Sequence, residues 1–494
     1  MNADLPLYQQ VADRIAQLIH DRVYEPGERL PSIRDVHADF SVSINTAREA
    51  FRVLEDRGVV EARSQSGHYV RTGPLVCDDD GMEFPVITGS APLSRTADRL
   101  TRRVLTDSMR RGWINLATAE PPADLLPGRR LAELTARALR RDPHRAVAYE
   151  LPPGPELLRA EIAKRVARGG VNAAVDDILV TAGCLEAVFV SLLTVCRAGD
   201  SVLIESPGFY LFHQLLDRLG LKAVEVPSRP GTGVDPDDVR TALDAGPIRA
   251  ALLTANFSNP TGGTIPEDRK REIGRILAQH GVFLIEDDIY GEMAWDMPRP
   301  ASLAAFADPA RTVLCSSFSK SVSPGYRIGW VTGGADLVER AIHTKLVTSA
   351  AVSTPAAVGI SEFLAGGGYD RWIRSARRHY RSTVPRLREA IAESFPAGTR
   401  STRPAGGMVI WVVMPAGVDS VEAYERVRRE GVAFAPGPVF SLHGAFANCL
   451  RINATDWSSE IDTAVRRIGA VASDLARESV ATVIPGGIGS GTSG

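Results

Sequence analysis

Five short apolar runs constrain this chain more than anything else in it. Ile178–Thr181, Ser201–Glu205, Ala250–Thr254, Val282–Glu286 and Thr312–Cys315 span four or five residues each and are bounded by polar turns. A helix needs about ten or more residues to bury a stripe, whereas a strand covered on both faces needs only such a run. Amphipathic segments lie between the runs, long enough for the crossovers that parallel strands require. The pattern predicts an α/β domain from Ile114 onward, with these strands buried in a parallel sheet. Open sheets of this kind bind ligands beyond the C-terminal ends of their strands, so the residues just after each run are where chemistry belongs.

After Thr312–Cys315 comes Ser316-Ser317-Phe318-Ser319-Lys320, and Arg327 follows seven positions later. An amine in a mostly apolar pocket beside cations loses proton affinity and becomes a usable nucleophile toward an aldehyde. Hydroxyls one and three residues before it, with an arginine beyond, make a dianion site next to that amine. Aldehyde plus phosphate describes pyridoxal 5'-phosphate (PLP). Taken alone, the fragment is equally a surface lysine on a Ser-rich loop, and the other strand ends must decide. Asn259-Pro260-Thr261-Gly262-Gly263 follows one strand, Glu286-Asp287-Asp288-Ile289-Tyr290 ends the next, and Thr181-Ala182-Gly183-Cys184-Leu185-Glu186 ends the first.

At 494 residues the chain is too long for one compact domain, which suggests about two to four. No stretch approaches the ~18 uninterrupted apolar residues of a membrane span, and Met1-Asn2-Ala3-Asp4-Leu5-Pro6 lacks the charge and apolar core of a signal peptide. Cys77, Cys184, Cys196, Cys315 and Cys449 are scattered, odd in number and without metal-ligand spacing. That fits a reducing cytoplasm and no metal site. The formal net charge of −2 excludes a globally basic surface.

Residues 1–72 read as a separate small domain. Val11, Ile15, Leu18 and Ile19 recur at helical spacing, and Pro26-Gly27 breaks that helix. Ser32 is a good N-cap for a second helix and Ser43 for a third, which carries small polar groups on its first turn as a helix entering a major groove does. Gly58–Arg63 and Gly67–Arg71 alternate in the β manner around a turn. The sum is a winged helix-turn-helix. The stretches Pro26–Arg34, Val42–Thr46, Leu54–Gly58 and Gln65–Val70 resemble the GntR-type DNA-binding domain. That resemblance implies that Arg34, Ser43, Asn45, Thr46 and Arg48 face double-stranded DNA, with Gly67 and His68 at the wing tip. The domain holds nine Arg and no Lys against eleven Asp plus Glu. Affinity must therefore come from a local arginine face and from dimerisation rather than bulk charge. Residues 73–112 read as linker, with an acidic run Cys77–Gly81 and then six arginines between Arg95 and Arg111, in a short helix or a solvated face.

The four strand-end motifs, in this order, resemble the fold type I PLP enzymes of the aspartate aminotransferase superfamily over residues ~113–475. The resemblance implies a large α/β part (~145–365) and a smaller α+β part (~366–480 plus the N-terminal segment of 113–480), while the Gly- and Ser-rich composition of the last residues reads as a flexible tail at 481–494. It implies that Lys320 forms the internal aldimine and that Asp287, rather than the adjacent Asp288, pairs with the pyridine nitrogen. Asn259 and Tyr290 are implied to bond the ring oxygen. Ser317, Ser319, Arg327 and the backbone of Gly183, Cys184 and Leu185 are implied to hold the phosphate. Phe209, with Tyr210 as its rival, is placed to stack on the ring. Tyr149 matches a tyrosine reaching the phosphate of the other subunit of a homodimer, and Arg451 matches the clamp for a substrate α-carboxylate. Cys184-Leu185-Glu186 departs from the polar Ser/Thr and Gln usual in related regulators.

A winged helix-turn-helix joined to such a domain resembles the MocR subfamily of GntR-type regulators. The expectation is a PLP-dependent transcriptional regulator that senses an amino acid or amine effector by external aldimine formation. The alternative is a working aminotransferase that carries a DNA-binding domain.

Overall fold

The computed structural model describes residues 6–20, 23–25, 27–56, 59–63, 67–70, 89–90 and 92–483. The wing residues Gln65 and Ser66, the acidic run Cys77–Gly81 and the chain beyond Val483 lie outside them. The N-terminal unit packs helices Leu7–His20, Ile33–Asp39 and Ile44–Asp56 with the antiparallel hairpin Val60–Arg63 and Gly67–Val70. Ser32 closes a capping box: its hydroxyl accepts from Asp35 N–H at 3.3 Å and its own N–H reaches the Asp35 carboxylate at 2.9 Å. Ala47, Ala50, Phe51 and Leu54 put one face of the third helix into a core with Val11, Ile15 and Val36. Its other face is left for solvent or DNA.

The large domain is built on a nine-stranded sheet in the order Gly89–Ser90, Lys222–Arg229, Ser201–Ser206, Ala250–Leu253, Phe283–Asp287, Thr312–Ser317, Gly329–Gly333, Ile178–Thr181, with Gly233–Val234 added at Lys222–Arg229. Side chains alternate between two apolar faces. Val202, Ile204, Leu252, Phe283 and Ile285 pack with helix Cys184–Val195. Leu203, Ala251, Leu253 and Leu284 pack with Pro236–Ala245 and Glu267–Gln279. Burial on both sides explains why these strands are apolar without alternation. The five expected strands run parallel to one another, but the sheet as a whole is mixed. Gly329–Gly333 runs antiparallel between Thr312–Ser317 and Ile178–Thr181. The lysine loop turns the chain straight back, and Gly329 lets this strand approach the Gly183 backbone, where a Cβ would lie 2.5 Å from the Gly183 carbonyl carbon.

Helix Gly368–Ser394, of 27 residues, leaves the large domain and enters the small one. Tyr369, Ile373 and Ala376 belong to the core beneath the lysine loop, whereas Leu387, Ala390 and Ile391 belong to the small-domain core. The small domain adds a four-stranded sheet in the order Arg400–Ser401, Val409–Val413, Cys449–Asn453, Ala435–Pro436, covered by helices Ser420–Val427 and Ser459–Val483. The last of these runs three residues into the stretch expected as tail.

Part of the expected linker is integral to the fold. Arg95–Ser108 is a helix whose Leu100 and Val104 are buried in the small-domain core. Its buried Asp107 accepts from Tyr424 Oη and Arg428 Nε, both at 2.8 Å. Just before it, Gly89 pairs with Glu225 on the edge of the large sheet. The buried Glu225 carboxylate accepts from Ser206 Oγ and from Leu442 N–H of the small domain, each at 3.0 Å, and lies 3.3 Å from His443 Nε2. Ser94 N–H donates to Leu442 O at 3.2 Å. The chain approaching from the N-terminal unit is thus fastened first to one domain and then to the other. No helix among the described residues is long and apolar enough to cross a membrane.

Candidate functional site

The C-terminal ends of the strands and the small domain enclose a cavity of about 250 Å³ that brings together Cys184, Leu185, Phe209, Asn259, Asp287, Tyr290, Ser317, Ser319, Lys320, Arg327 and Arg451. Lys320 stands just past Thr312–Ser317, and its Nζ donates to Ala119 O at 2.5 Å. Burial lowers its pKa to about 8, helped by Arg451 and Arg327 and opposed by Glu120 and Asp287. A useful fraction of the amine is therefore neutral near physiological pH.

Asp287 is buried, and its Oδ1 accepts from Cys184 Sγ and Ile289 N–H, both at 3.1 Å. It takes part in no ion pair among the described residues. Burial pushes its pKa up to about 6, against the pull of those two hydrogen bonds. The neighbouring Asp288 points elsewhere, paired with Arg299 at 2.7 Å and bonded by Asn256 at 3.2 Å. Of the two carboxylates only Asp287 lines the cavity, and a buried carboxylate without a cation suits a positively charged ring nitrogen.

A buried acid whose pKa is raised favours the protonated folded state, so its contribution to stability falls as pH rises from about 4 to about 6. At the ~1.4 kcal/mol per unit of linkage, the shift from 3.8 to about 6 costs the unliganded protein on the order of 3 kcal/mol at pH 8. Asp287→Asn without cofactor is therefore expected to melt above the wild type at pH 8, the gap closing below pH ~4. Equal melting temperatures at pH 8 would mean that Asp287 is not strained by its burial.

An anion cradle adjoins the amine. Gly183, at φ +93°, leads into the 12-residue helix Cys184–Val195, and a Cβ there would lie 2.3 Å from Arg327 Nη2. Arg327 donates to Ser319 Oγ at 3.1 Å and to Ala182 O at 2.9 Å, and Ser319 N–H reaches Ser317 Oγ at 3.2 Å. Hydroxyls, guanidinium and helix N-terminus converge as a phosphate requires. Glu186 adds no bare negative charge to this helix start, because buried Lys345 holds both its oxygens at 3.0 and 2.9 Å.

Arg451, fully buried on Cys449–Asn453, donates to Asn259 Oδ1 at 3.0 Å and to the Ala117 carbonyl. Its Nε is buried without a partner among the described residues, an orphan donor that a ligand carboxylate suits. Asn259 also bonds Tyr290. Phe209 and Tyr210 both line the cavity with ring centroids 4.9 Å apart, but Tyr210 is bonded to Arg451. Phe209, packed edge-on against Phe212 at 5.2 Å, is the ring of the two that no hydrogen bond ties to Arg451. Tyr149 does not reach the cavity of its own chain and is 83% exposed, next to Val147 at 88%. Ala117, Ala119 and Glu120 were absent from the sequence reading. The first two act through backbone carbonyls, which leave no residue-type signal.

In the N-terminal unit Arg34, Ser43, Asn45 and Arg48 are exposed and Thr46 is half-buried. Ser43 Oγ accepts Thr46 N–H at 3.0 Å and lies 2.7 Å from Thr46 Oγ1, so these two residues also cap the third helix. Gly67, at φ +109°, opens the second wing strand. His68 corrects an expectation. Its ring stacks on Phe51 at 4.2 Å and its Nε2 pairs with Glu55 at 3.0 Å, so the side chain faces the third helix instead of DNA. Alternation along the short strand turns it inward.

Residues 111–468 match the family model "Aminotransferase class I and II", and residues 7–70 match "Bacterial regulatory proteins, gntR family". The chain belongs to both families, and its two-part build is that of the MocR-type regulators. This MocR-type chain is 32% identical over 463 residues to the uncharacterized HTH-type transcriptional regulator YjiR of Escherichia coli K12, covering 94% of this chain and 98% of that one. It is 29% identical over 374 residues to 2-aminoadipate transaminase of Thermus thermophilus, covering 74% and 92%. Among solved structures, the α-aminoadipate aminotransferase LysN of Thermus thermophilus, complexed with N-(5'-phosphopyridoxyl)-L-leucine, superposes with a TM-score of 0.71 and 27% identity over 78% of this chain and 98% of that one.

Proposed function

We propose that this protein is a PLP-dependent, DNA-binding transcriptional regulator whose aminotransferase-like domain takes an amino acid or amine as effector. The observation that carries the reading is the pairing, in one cavity, of a Lys320 of lowered proton affinity with a buried carboxylate that lacks a cation among the described residues, in a chain that opens with a GntR head. Lys320, Asp287, Tyr290, Asn259, Ser317, Ser319, Arg327 and Phe209, with the N–H groups of Gly183, Cys184 and Leu185, would hold the cofactor. Bound there, PLP supplies an aldehyde that captures amines and a protonated ring that draws electrons.

The chain's own part is to orient and to sense. Arg451 fixes a carboxylate from the small-domain side, while Lys320 and Asp287 belong to the large domain. A ligand touching both favours one arrangement of the two, which is what a regulator needs. Exposed Val147, Tyr149, Leu151 and Val347 support a homodimer, which would present two heads to paired half-sites. The buried free thiols Cys184, Cys196, Cys315 and Cys449 support a reducing cytoplasm.

The second reading, a working transaminase, is favoured by the completeness of the cavity. One experiment separates them: an absorbance scan of PLP-loaded protein against a panel of amino acids, with keto acid assayed in parallel. A regulator changes its visible spectrum without turnover. Keto acid released at ~1 s⁻¹ or faster decides for the enzyme, and a protein that takes up no PLP overturns both.

A further inference from the structure

We propose that Glu120 makes the effector site selective for amines that carry a second positive charge, such as a basic amino acid, and selective against acidic ones. The inference rests on the PLP and amino-acid reading above and extends it to the class of effector.

Among the described residues five charged ones line the cavity: Glu120, Asp287, Lys320, Arg327 and Arg451. Four have duties in that reading, toward ring, amine, phosphate and ligand carboxylate. Glu120 has none. Its side chain takes no ion pair or hydrogen bond among the described residues, and it is exposed at the cavity mouth. Its backbone is nonetheless held firmly, because Glu120 O accepts from Asn453 Nδ2 at 3.0 Å and from Thr455 Oγ1 at 2.7 Å. The preceding residue's carbonyl binds Lys320. Among the acids acting on Lys320, Glu120 exerts the strongest pull, ahead of Asp287, and it acts on Tyr210 beside Arg451 as well. Glu120 thus lines the same cavity as the amine site and the carboxylate clamp and acts electrostatically on the amine and on the tyrosine beside the clamp. A ligand anchored at both points lies in the cavity that Glu120 lines. An ammonium there gains a partner, an alkyl group gains nothing, and a second carboxylate meets like charge.

L-Lysine, L-norleucine and L-2-aminoadipate have the same carbon count and differ mainly in terminal charge, so they isolate this effect. Titrated spectroscopically into the full-length PLP-loaded protein, lysine is expected to bind about fivefold more tightly than norleucine, and 2-aminoadipate about fivefold more weakly. That is the upper range for a solvent-exposed charge pair, and both ratios should shrink as salt is raised. In Glu120→Gln, which keeps the shape and the backbone anchors, the three affinities should fall within about twofold of one another. The PLP spectrum of the variant confirms that its site is intact. Norleucine or 2-aminoadipate binding as tightly as lysine to the wild type overturns the inference, as does an unchanged order in Glu120→Gln. If all three bind without discrimination the effector site stands and only its selectivity is lost. If none alters the spectrum, the amino-acid reading fails and takes this inference with it.

Discussion

Lys320→Ala is expected to abolish covalent attachment of PLP altogether. Borohydride treatment of the loaded wild type should fix one cofactor per chain, and of the variant none. No other lysine among the described residues lines the cavity. The variant should still bind PLP reversibly, because Ser317, Ser319, Arg327 and the start of helix Cys184–Val195 do not depend on the amine. The fold should survive as well. The amine's hydrogen bond is to Ala119 O, worth about 1 kcal/mol net, and its removal also relieves a desolvated cation. Mass spectrometry after reduction reads the result directly. A cofactor adduct persisting in Lys320→Ala, or mapping to another lysine in the wild type, removes the central assignment.

The strength of that prediction reflects how much of the site is written in residue types. Lys320, Asp287 and Arg451 are rare choices for positions with so little exposure: Asp287 ends its strand, Lys320 lies three residues past another, and Arg451 stands mid-strand in the small-domain sheet. Asp287 and Asp288 could not be told apart by composition, being adjacent and chemically alike. The strand's twofold alternation separates them, sending one to the cavity and the other to Arg299. The antiparallel strand Gly329–Gly333 was hidden because glycines at both ends leave only Trp330, Val331 and Thr332 to signal it. The chain's course over Ala117–Glu120 was hidden because carbonyls carry no signature. The helix Arg95–Ser108 was masked by its own surface: the arginines that suggested a solvated linker are its outer face, and Leu100 and Val104, four apart, are the inner one. His68 failed for a related reason, since a resemblance places a residue on a wing without saying which way a short strand turns it.

The double variant Arg34→Ala with Thr46→Ala is expected to remove the operator footprint while leaving PLP binding unchanged. Arg34 is exposed beside the capped start of the second helix, and Thr46 lies in the first turn of the third. Ser43 Oγ still caps the third helix in the variant, because it accepts the Thr46 backbone N–H rather than depending on the lost hydroxyl. The core of Phe51, Leu54 and Val36 is untouched. Loss of footprint would thus report contact, not unfolding. At ~1–3 kcal/mol per specific contact, two losses per head amount to about 2–6 kcal/mol, doubled where both heads of a dimer engage. The net acidity of residues 1–72 leaves little nonspecific affinity to hide that loss. In the wild type the same footprint should change when effector is added. The path into the effector domain is fastened to the large sheet at Gly89 and to the small domain at Ser94, across the junction that Glu225 makes with Leu442 and His443. Any effector that alters how the two domains meet must strain or relax that stretch. A double variant that footprints normally would remove Arg34 and Thr46 from the DNA face. A wild-type footprint indifferent to every ligand that alters the PLP spectrum would mean that the two halves of the chain do not communicate.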